Sequence, residues 1–187
     1  MDFRNLVTRI LVAAALLALV PAVASAQILS NIGNVNLAAA LPQTLTITVT
    51  GGSTVNFTLT NGSPANGDVP AVIQTSWNLN PGLTGAVSLY GYFDTPAQAL
   101  ADGTNYITSS LVEGQMATGT PTTYTAFTQT NPVGPAGGSL ALFSEAITGI
   151  NKISTRTDNL DIRINLTGQT LPAGSYAGVL RLQARAL

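Results

Sequence analysis

Alternation of apolar and polar residues with a period of two constrains the fold of this chain more than any other feature. In "TLTITVT" the residues Leu45, Ile47 and Val49 share one face, and threonines occupy the other face. The pattern recurs in "VPAVIQTSWNL", residues 69–79, and in "NLDIRINL", residues 159–166. Successive side chains of a β-strand point to opposite faces, so these stretches predict strands with one buried and one polar face.

Shorter stretches of similar composition accompany these three, and turn-forming residues separate them. We expect further strands at residues 35–39, 55–59, 86–93, 111–117, 123–127 and 140–147. The pairs Gly51-Gly52 and Asn61-Gly62 have the chemistry of tight turns. About nine strands at this spacing predict an all-β fold, namely an antiparallel two-sheet β-sandwich of immunoglobulin-like size.

One segment, "DTPAQALADG", has the residue order of a helix. Asp94 or Thr95 suits the N-cap, Pro96 suits the first helical position, and Gly103 suits the position just after a helix ends. The sequence therefore predicts one short helix that crosses between the sheets.

The amino-terminal residues have the composition of a targeting segment. Two arginines in "MDFRNLVTRI" precede the apolar run "LVAAALLALVPAVA", and the small residues "ASA" follow it. This order is typical of a secretory signal peptide, so we expect a cleaved leader at residues 1–26 and a single mature domain at residues 27–187. The alternative is a membrane anchor, but Pro21 interrupts the run, which is shorter than the roughly 20 residues a span needs. We expect a secreted protein, in the periplasm, on the cell surface or outside the cell, with no transmembrane anchor in the mature chain.

The residue inventory restricts the chemistry that the protein can perform. The chain contains no histidine and no cysteine, which excludes histidine-based triads, thiol nucleophiles and metal sites built from these ligands. Two carboxylates across a cleft would suffice for a glycosidase, but most Asp and Glu residues lie at turn positions or on polar strand faces. We therefore expect a non-enzymatic protein without a cofactor.

Charge gives a second restriction. The chain has 7 Lys and Arg and 8 Asp and Glu residues, for a net charge of −1. Nucleic-acid binding requires clustered basic residues that neutralise phosphates, so we expect no nucleic-acid partner.

Calcium binding stays open as an alternative at "RTDNLD". Asp158, Asn159 and Asp161 offer oxygen ligands there, although their spacing differs from that of a calcium loop. Turn formation by Asp and Asn explains the same residues.

The aromatic residues offer the best candidate for a small-ligand site. In "AVSLYGYFD" the rings of Tyr90 and Tyr92 share one strand face, roughly 7 Å apart. Two such rings form a platform on which a sugar could stack, so these residues are the candidate glycan site. The alternative is that they cover the sheet and pair with neighbouring strands. Trp77 shares the core face of its own strand, which indicates a core anchor.

The last stretch, "LPAGSYAGVLRLQARAL", predicts a turn and then a terminal strand. Its expected core face consists of Tyr176, Leu180, Leu182, Ala184 and Ala186. Arginines on the other face discourage indiscriminate pairing at a sheet edge, so the strand is expected to close the fold of its own chain.

Pro172, Ala173, Gly174 and Tyr176 at the start of this stretch carry a family resemblance. The motif resembles the ending of secreted bacterial β-sandwich proteins of the spore-coat-protein-U and fimbrial-subunit kind. The chain departs from fimbrial subunits in having no disulfide and in having Ala186 at its penultimate position.

The resemblance implies a structural role in surface assembly through strand addition, in which a sheet edge accepts a strand from a neighbour. The candidate donated segment is residues 27–40, where Val35, Leu37 and Ala39 share one face. The alternative is that this segment is an ordinary first strand. The expected partner is another protein, including a second copy of the chain, and a glycan is the alternative partner.

Overall fold

The computed structural model describes residues 31–32, 34–80, 82 and 84–187. The chain divides into two compact units, Met1–Ala40 and Leu41–Leu187. The described residues of the first unit are exposed and form neither strand nor helix. The expected strand at residues 35–39 is therefore wrong for the isolated chain, because none of the strands in the described ranges pairs with this segment. The predicted leader lies outside the described residues.

The second unit is built from antiparallel strands. They are β1 (Thr44–Gly51), β2 (Pro64–Asn66), β3 (Ala71–Asn78), β4 (Ala86–Tyr92), β5 (Leu100–Ala101), β6 (Tyr106–Ile107), β7 (Val112–Met116), β8 (Thr125–Ala126), β9 (Ser139–Ala146), β10 (Ile153–Asn165) and β11 (Arg181–Ala186). One sheet has the order β1-β3-β10-β7-β8, with β2 also paired to β10. A second sheet has the order β11-β4-β9, and β5 pairs with β6. The prediction of an all-β, antiparallel protein is confirmed.

Two predicted strands differ from the structure at the positions where the chain leaves the sheets. Residues 55–59 are not a strand; they meet the rest of the fold through the isolated bridge between Phe57 and Gly67. The terminal strand begins at Arg181, so residues 176–180 precede it. By contrast β10 is longer than predicted, because pairing with β3 extends it back to Ile153.

The predicted short helix is reduced to a three-residue 3-10 turn at Pro96–Gln98. The carboxylate of Asp102 accepts hydrogen bonds from the backbone N–H groups of Thr104 (3.0 Å) and Asn105 (2.7 Å). These bonds close the β5–β6 hairpin, so the chain after the turn continues as a strand. A second 3-10 turn lies at Ser109–Leu111.

The inward faces of both main sheets contribute to a single hydrophobic core. Its fully buried side chains include Ile73 of β3, Leu89 of β4 and Leu160 of β10. Burial of each such side chain contributes about 1.5–3 kcal/mol. Trp77 is 2% exposed and its indole N–H donates to the carbonyl of Asn151 at 2.8 Å, which confirms its predicted role as a core anchor.

The outer face of the six-stranded sheet carries hydroxyl and amide groups in its β1–β3–β10 part. The exposed residues of β1 on this side are Thr44, Thr46, Thr48 and Thr50. On the adjacent strands the hydroxyl of Thr155 donates to that of Ser76 at 3.0 Å. Hydroxyl groups are well hydrated without charge. Where β10 pairs with β3, at Ile153–Leu160, the outward residues of the three strands carry no charge, so this part of the face is polar but electrically neutral.

The strand registers define two ends of the second unit. At the end we call the groove end, Gly51 pairs with Val72. At the opposite end, the distal end, Asn78 pairs with both Thr44 and Ile153. Residues 147–152 connect β9 to β10 there, and the N–H of Ile147 donates to the carbonyl of Gly85 at 2.8 Å.

Candidate functional site

An open groove of about 760 Å³ lies at the groove end. Residues of the six-stranded sheet line it, including Ala71, Val112 and Ile164, together with Phe93 and Leu182 from the other side. This volume is in the range of clefts that bind ligands. The apolar floor can accept apolar side chains.

Residues 52–59 form the first wall of the groove. Their side chains alternate, so that Val55 and Phe57 are half-buried while Asn56 between them is exposed. Asn56 donates from its backbone N–H and from its side-chain amide to the two carboxylate oxygens of Asp68, both at 2.9 Å. These bonds, the side-chain bond foremost, lower the pKa of Asp68 below its usual value. The ionised carboxylate therefore holds this wall in place at neutral pH.

Residues 174–180 form the second wall. Ala177 and Ala101 exchange two backbone hydrogen bonds, of 2.8 and 2.9 Å. A Cβ atom on Gly178 would lie 2.0 Å from the carbonyl oxygen of Ala99, so a residue without a side chain is required for this close approach. The hydroxyl of Tyr176 donates to the carbonyl of Pro172 at 3.0 Å, which closes the turn that begins the wall.

The expected core face of the terminal strand thus divides into two parts. Tyr176, Leu180 and Leu182 line the groove. Ala184 and Ala186 are half-buried against the core. Residues 176–180, which were expected to be strand, form a groove wall instead, and the strand begins at Arg181.

The strands at the edges of the two sheets, β1 and β11, lie close together over part of their length but are not hydrogen-bonded to each other. β1 is the last strand of its sheet and β11 is the last strand of the other. Val49 and Val179 line the groove and are nevertheless exposed, Val179 by 70%. Exposed apolar surface next to unpaired strand edges is typical of a binding surface for another chain.

Exposed apolar residues also occur in the first unit. Val35, Leu37 and Ala39 are all exposed, Leu37 by 92%. An extended conformation would place these three side chains on one face and Asn34 and Asn36 on the other. The segment therefore has the pattern of a half-buried strand without having a partner strand within the described residues.

The candidate glycan platform lies elsewhere, on the outer face of β4. Tyr90 is paired with Gln183 and Tyr92 with Arg181 in the ladder to β11. A Cβ atom on Gly134 would lie 2.5 Å from the ring of Tyr92, so the backbone of that loop covers part of this ring. Both tyrosines are half-buried, and glycan binding by them stays a prediction.

An ion-pair cluster ties β9 to β10. The guanidinium of Arg156 donates to the buried carboxylate of Asp158 at 2.7 and 2.5 Å and to Glu145 at 3.1 Å. It also lies 4.1 Å from the ring centre of Phe143. This cluster accounts for Asp158 structurally, as a charge neutralised inside the fold.

The calcium alternative finds no geometric support at these carboxylates. Asp158 points inward from β10, while Asp161 lies on the outer face of the same strand, so the two do not converge on one ion. Within the described ranges there is no group of three or more Asp and Glu residues that could hold a metal ion.

Comparison of the chain with protein-family models, with curated proteins and with solved structures gave no match. In the part of the chain that the structure describes, no helix has the length and apolar character needed to cross a membrane.

Sequence reasoning missed the groove, although it identified most of the residues around it. Gly174 and Gly178 could have indicated the groove wall, because glycine within a strand pattern often marks close approach of another backbone.

Proposed function

We propose that this protein is a secreted, non-enzymatic structural subunit that associates with further copies of itself by strand addition. The groove of one copy accepts residues 34–41 of another. The proposal is supported mainly by one observation: the same chain carries an open groove with an apolar floor and an exposed segment with an apolar residue at every second position. In this view the second unit is an immunoglobulin-like β-sandwich with one side left open.

The physical basis is that an added strand forms backbone hydrogen bonds and buries apolar side chains at the same time. Its backbone N–H and C=O groups pair with those of an edge strand, β1 or β11, while alternate side chains enter the groove. Val35 and Leu37 each gain about 1.5–3 kcal/mol when they are fully buried. Asn34 and Asn36 then point to solvent, where their amides remain hydrated.

Other parts of the sequence agree with this proposal. The leader-like residues 1–26 suit secretion, and the absence of histidine and cysteine suits a protein without catalysis. The ending with Pro172, Gly174 and Tyr176 resembles that of spore-coat-protein-U and fimbrial subunits. Glycan binding through Tyr90 and Tyr92 is the weaker proposal, because the Gly134 backbone occupies part of the platform.

The test measures self-association of the chain that begins at Gln27, by sedimentation velocity over a wide concentration range. Wild type is expected to form oligomers, and Leu37→Asp is expected to be monomeric, because a carboxylate cannot be buried in the apolar groove without a partner. Asn36→Asp is the matched control: it places the same charge on the opposite face of the same segment and should leave association intact.

A fluorescent peptide of residues 34–41 gives a second readout. The Leu37→Asp chain has an intact groove and should capture this peptide. A wild-type chain that stays monomeric at all concentrations, or a Leu37→Asp chain that associates like wild type, would contradict the proposal.

A further inference from the structure

Large apolar side chains that remain exposed in the second unit are concentrated at its two ends. At the distal end they are Ile150, Ile153 and Leu187, and we call this set the distal cluster; Leu41, also exposed, is the last residue of the donated segment. Ile150 is 96% exposed and Ile153 is 70% exposed. At the groove end they are Val49, Val69 and Val179, which we call the groove rim. Tyr106 on β6 is the remaining one among the described residues.

Hydrogen bonds place the members of the distal cluster on the same end of the fold. The N–H of Leu79 donates to the carbonyl of Lys152 at 2.9 Å, which holds the turn containing Ile150 and the first residue of β10, Ile153, beside the end of β3. The N–H of Leu187 donates to the carbonyl of Ala86 at 3.1 Å. The side-chain carbonyl of Gln43 accepts from the N–H of Asn80 at 3.1 Å, so the chain enters β1 at this end as well.

The length of the connection between the donated segment and β1 restricts how two copies can meet. Only Pro42 and Gln43 separate Leu41 from Thr44, and a connection of this length spans about 10 Å when fully extended. When residues 34–41 of one copy occupy the groove of another, the distal end of the first copy is therefore held close to the groove end of the second. Two apolar surfaces that are each exposed in the single chain then face each other.

We infer that the distal cluster of one copy packs on the groove rim of the next copy, as a second contact beside the donated strand. This inference rests on the proposed function. It explains why isoleucines occupy an exposed turn, where polar residues would be expected: Ile150 and Ile153 are exposed in the subunit and covered in the assembly. Removal of apolar surface from water supplies the affinity.

The two contacts have a consequence for symmetry. The segment that is donated and the surface that accepts it are different, and a copy that donates to one neighbour and accepts from another makes a heterologous interface. A heterologous interface continues from copy to copy and forms an open chain unless its rotation happens to close a ring.

The experiment compares the double variant Ile150→Ser/Ile153→Ser with Tyr106→Ser, which removes an exposed apolar side chain outside both surfaces. Self-association of the chain that begins at Gln27 is measured by sedimentation velocity. The double variant should associate at least roughly ten-fold more weakly than wild type, because apolar side chains that the contact buries are lost. Tyr106→Ser should associate like wild type. Near-UV circular dichroism confirms that each variant is folded.

Capture of the fluorescent peptide of residues 34–41 separates this inference from the proposed function. It is measured in chains that also carry Leu37→Asp, so that the protein's own segment does not compete. Peptide affinity should be the same with and without Ile150→Ser/Ile153→Ser. If the double variant associates as tightly as wild type while Leu37→Asp does not associate, the second contact is refuted and strand addition stands. If no chain captures the peptide and wild type is monomeric, both are refuted.

Discussion

Thr75 occupies a position where its hydroxyl group is a disadvantage to the folded state. It lies between Ile73 and Trp77 on the inward face of β3 and is fully buried. Among the described residues, its hydroxyl has no hydrogen-bond partner. A buried polar group without a partner loses its hydration and gains nothing in return. The alternation of β3 predicts that this residue points inward, but the sequence cannot show whether a partner lies within reach.

Replacing Thr75 with Val should therefore stabilise the protein. Valine has nearly the same shape and the same preference for strands, so the change removes the unsatisfied hydroxyl without opening a cavity. We expect the free energy of unfolding to rise by about 1 kcal/mol or more, measured by urea denaturation. Thr48→Val makes the same change on the exposed face of β1 and should alter stability by less than about 0.5 kcal/mol. A loss of stability in Thr75→Val would mean that the hydroxyl is hydrogen-bonded, for example to a buried water molecule.

At the scale of elements, the two groove walls show what period-two alternation does and does not determine. Val55, Phe57 and Leu59 alternate as in a strand, and alternate side chains do point toward the core. Alternation reports the direction of side chains from an extended backbone; it does not report which backbone groups lie opposite. In residues 52–59 and 174–180 apolar side chains such as Phe57, Tyr176 and Leu180 are half-buried, but the backbone lies beside the sheets. Their pattern correctly predicts side-chain direction and incorrectly predicts strand pairing.

The second wall depends on the close approach at Gly178. Gly178→Ala would bring a methyl group against the carbonyl of Ala99 and displace the wall from its two hydrogen bonds to Ala101. We expect a loss of about 1–3 kcal/mol in the free energy of unfolding and weaker capture of the peptide of residues 34–41. Denaturation and fluorescence anisotropy measure these two effects.

Gly149→Ala is the matched control for this change. A Cβ atom there meets nothing within 4 Å, and the backbone is not in the left-handed region. Its stability should stay within about 0.5 kcal/mol of wild type. Equal effects of the two alanine substitutions would show that the close approach at Gly178 does not support the wall.

At the scale of the whole molecule, the all-β antiparallel architecture follows directly from the strong patterns of β1, β3 and β10. The groove does not follow from these patterns, because it results from the arrangement of segments that are far apart in sequence. Residues 52–59 and 174–180 border it but do not fill it. The alternation at Val35 and Leu37 is the same for the proposed donated strand as for an internal one, so sequence alone does not separate the two.

Ionic strength gives a test at this scale. None of the residues that line the groove is charged, and residues 34–41 carry no charge. Raising sodium chloride from about 0.01 M to about 0.1 M shortens the Debye length from about 30 Å to about 10 Å, and we expect the self-association constant to change less than about two-fold. Sodium sulfate should strengthen association, because excluded salts favour the burial of apolar surface. A steep loss of association with sodium chloride would indicate that charge pairs hold the copies together.

The neutral hydroxyl face formed by the threonines of β1 is a second uncharged surface of the molecule. Of the arginines, Arg156, Arg163 and Arg181 are each paired with a carboxylate of their own chain, so these charges are balanced within the fold. Contacts made through the groove and through this face therefore depend little on salt concentration. For the proposed subunit, the same contacts are therefore available in dilute and in concentrated salt.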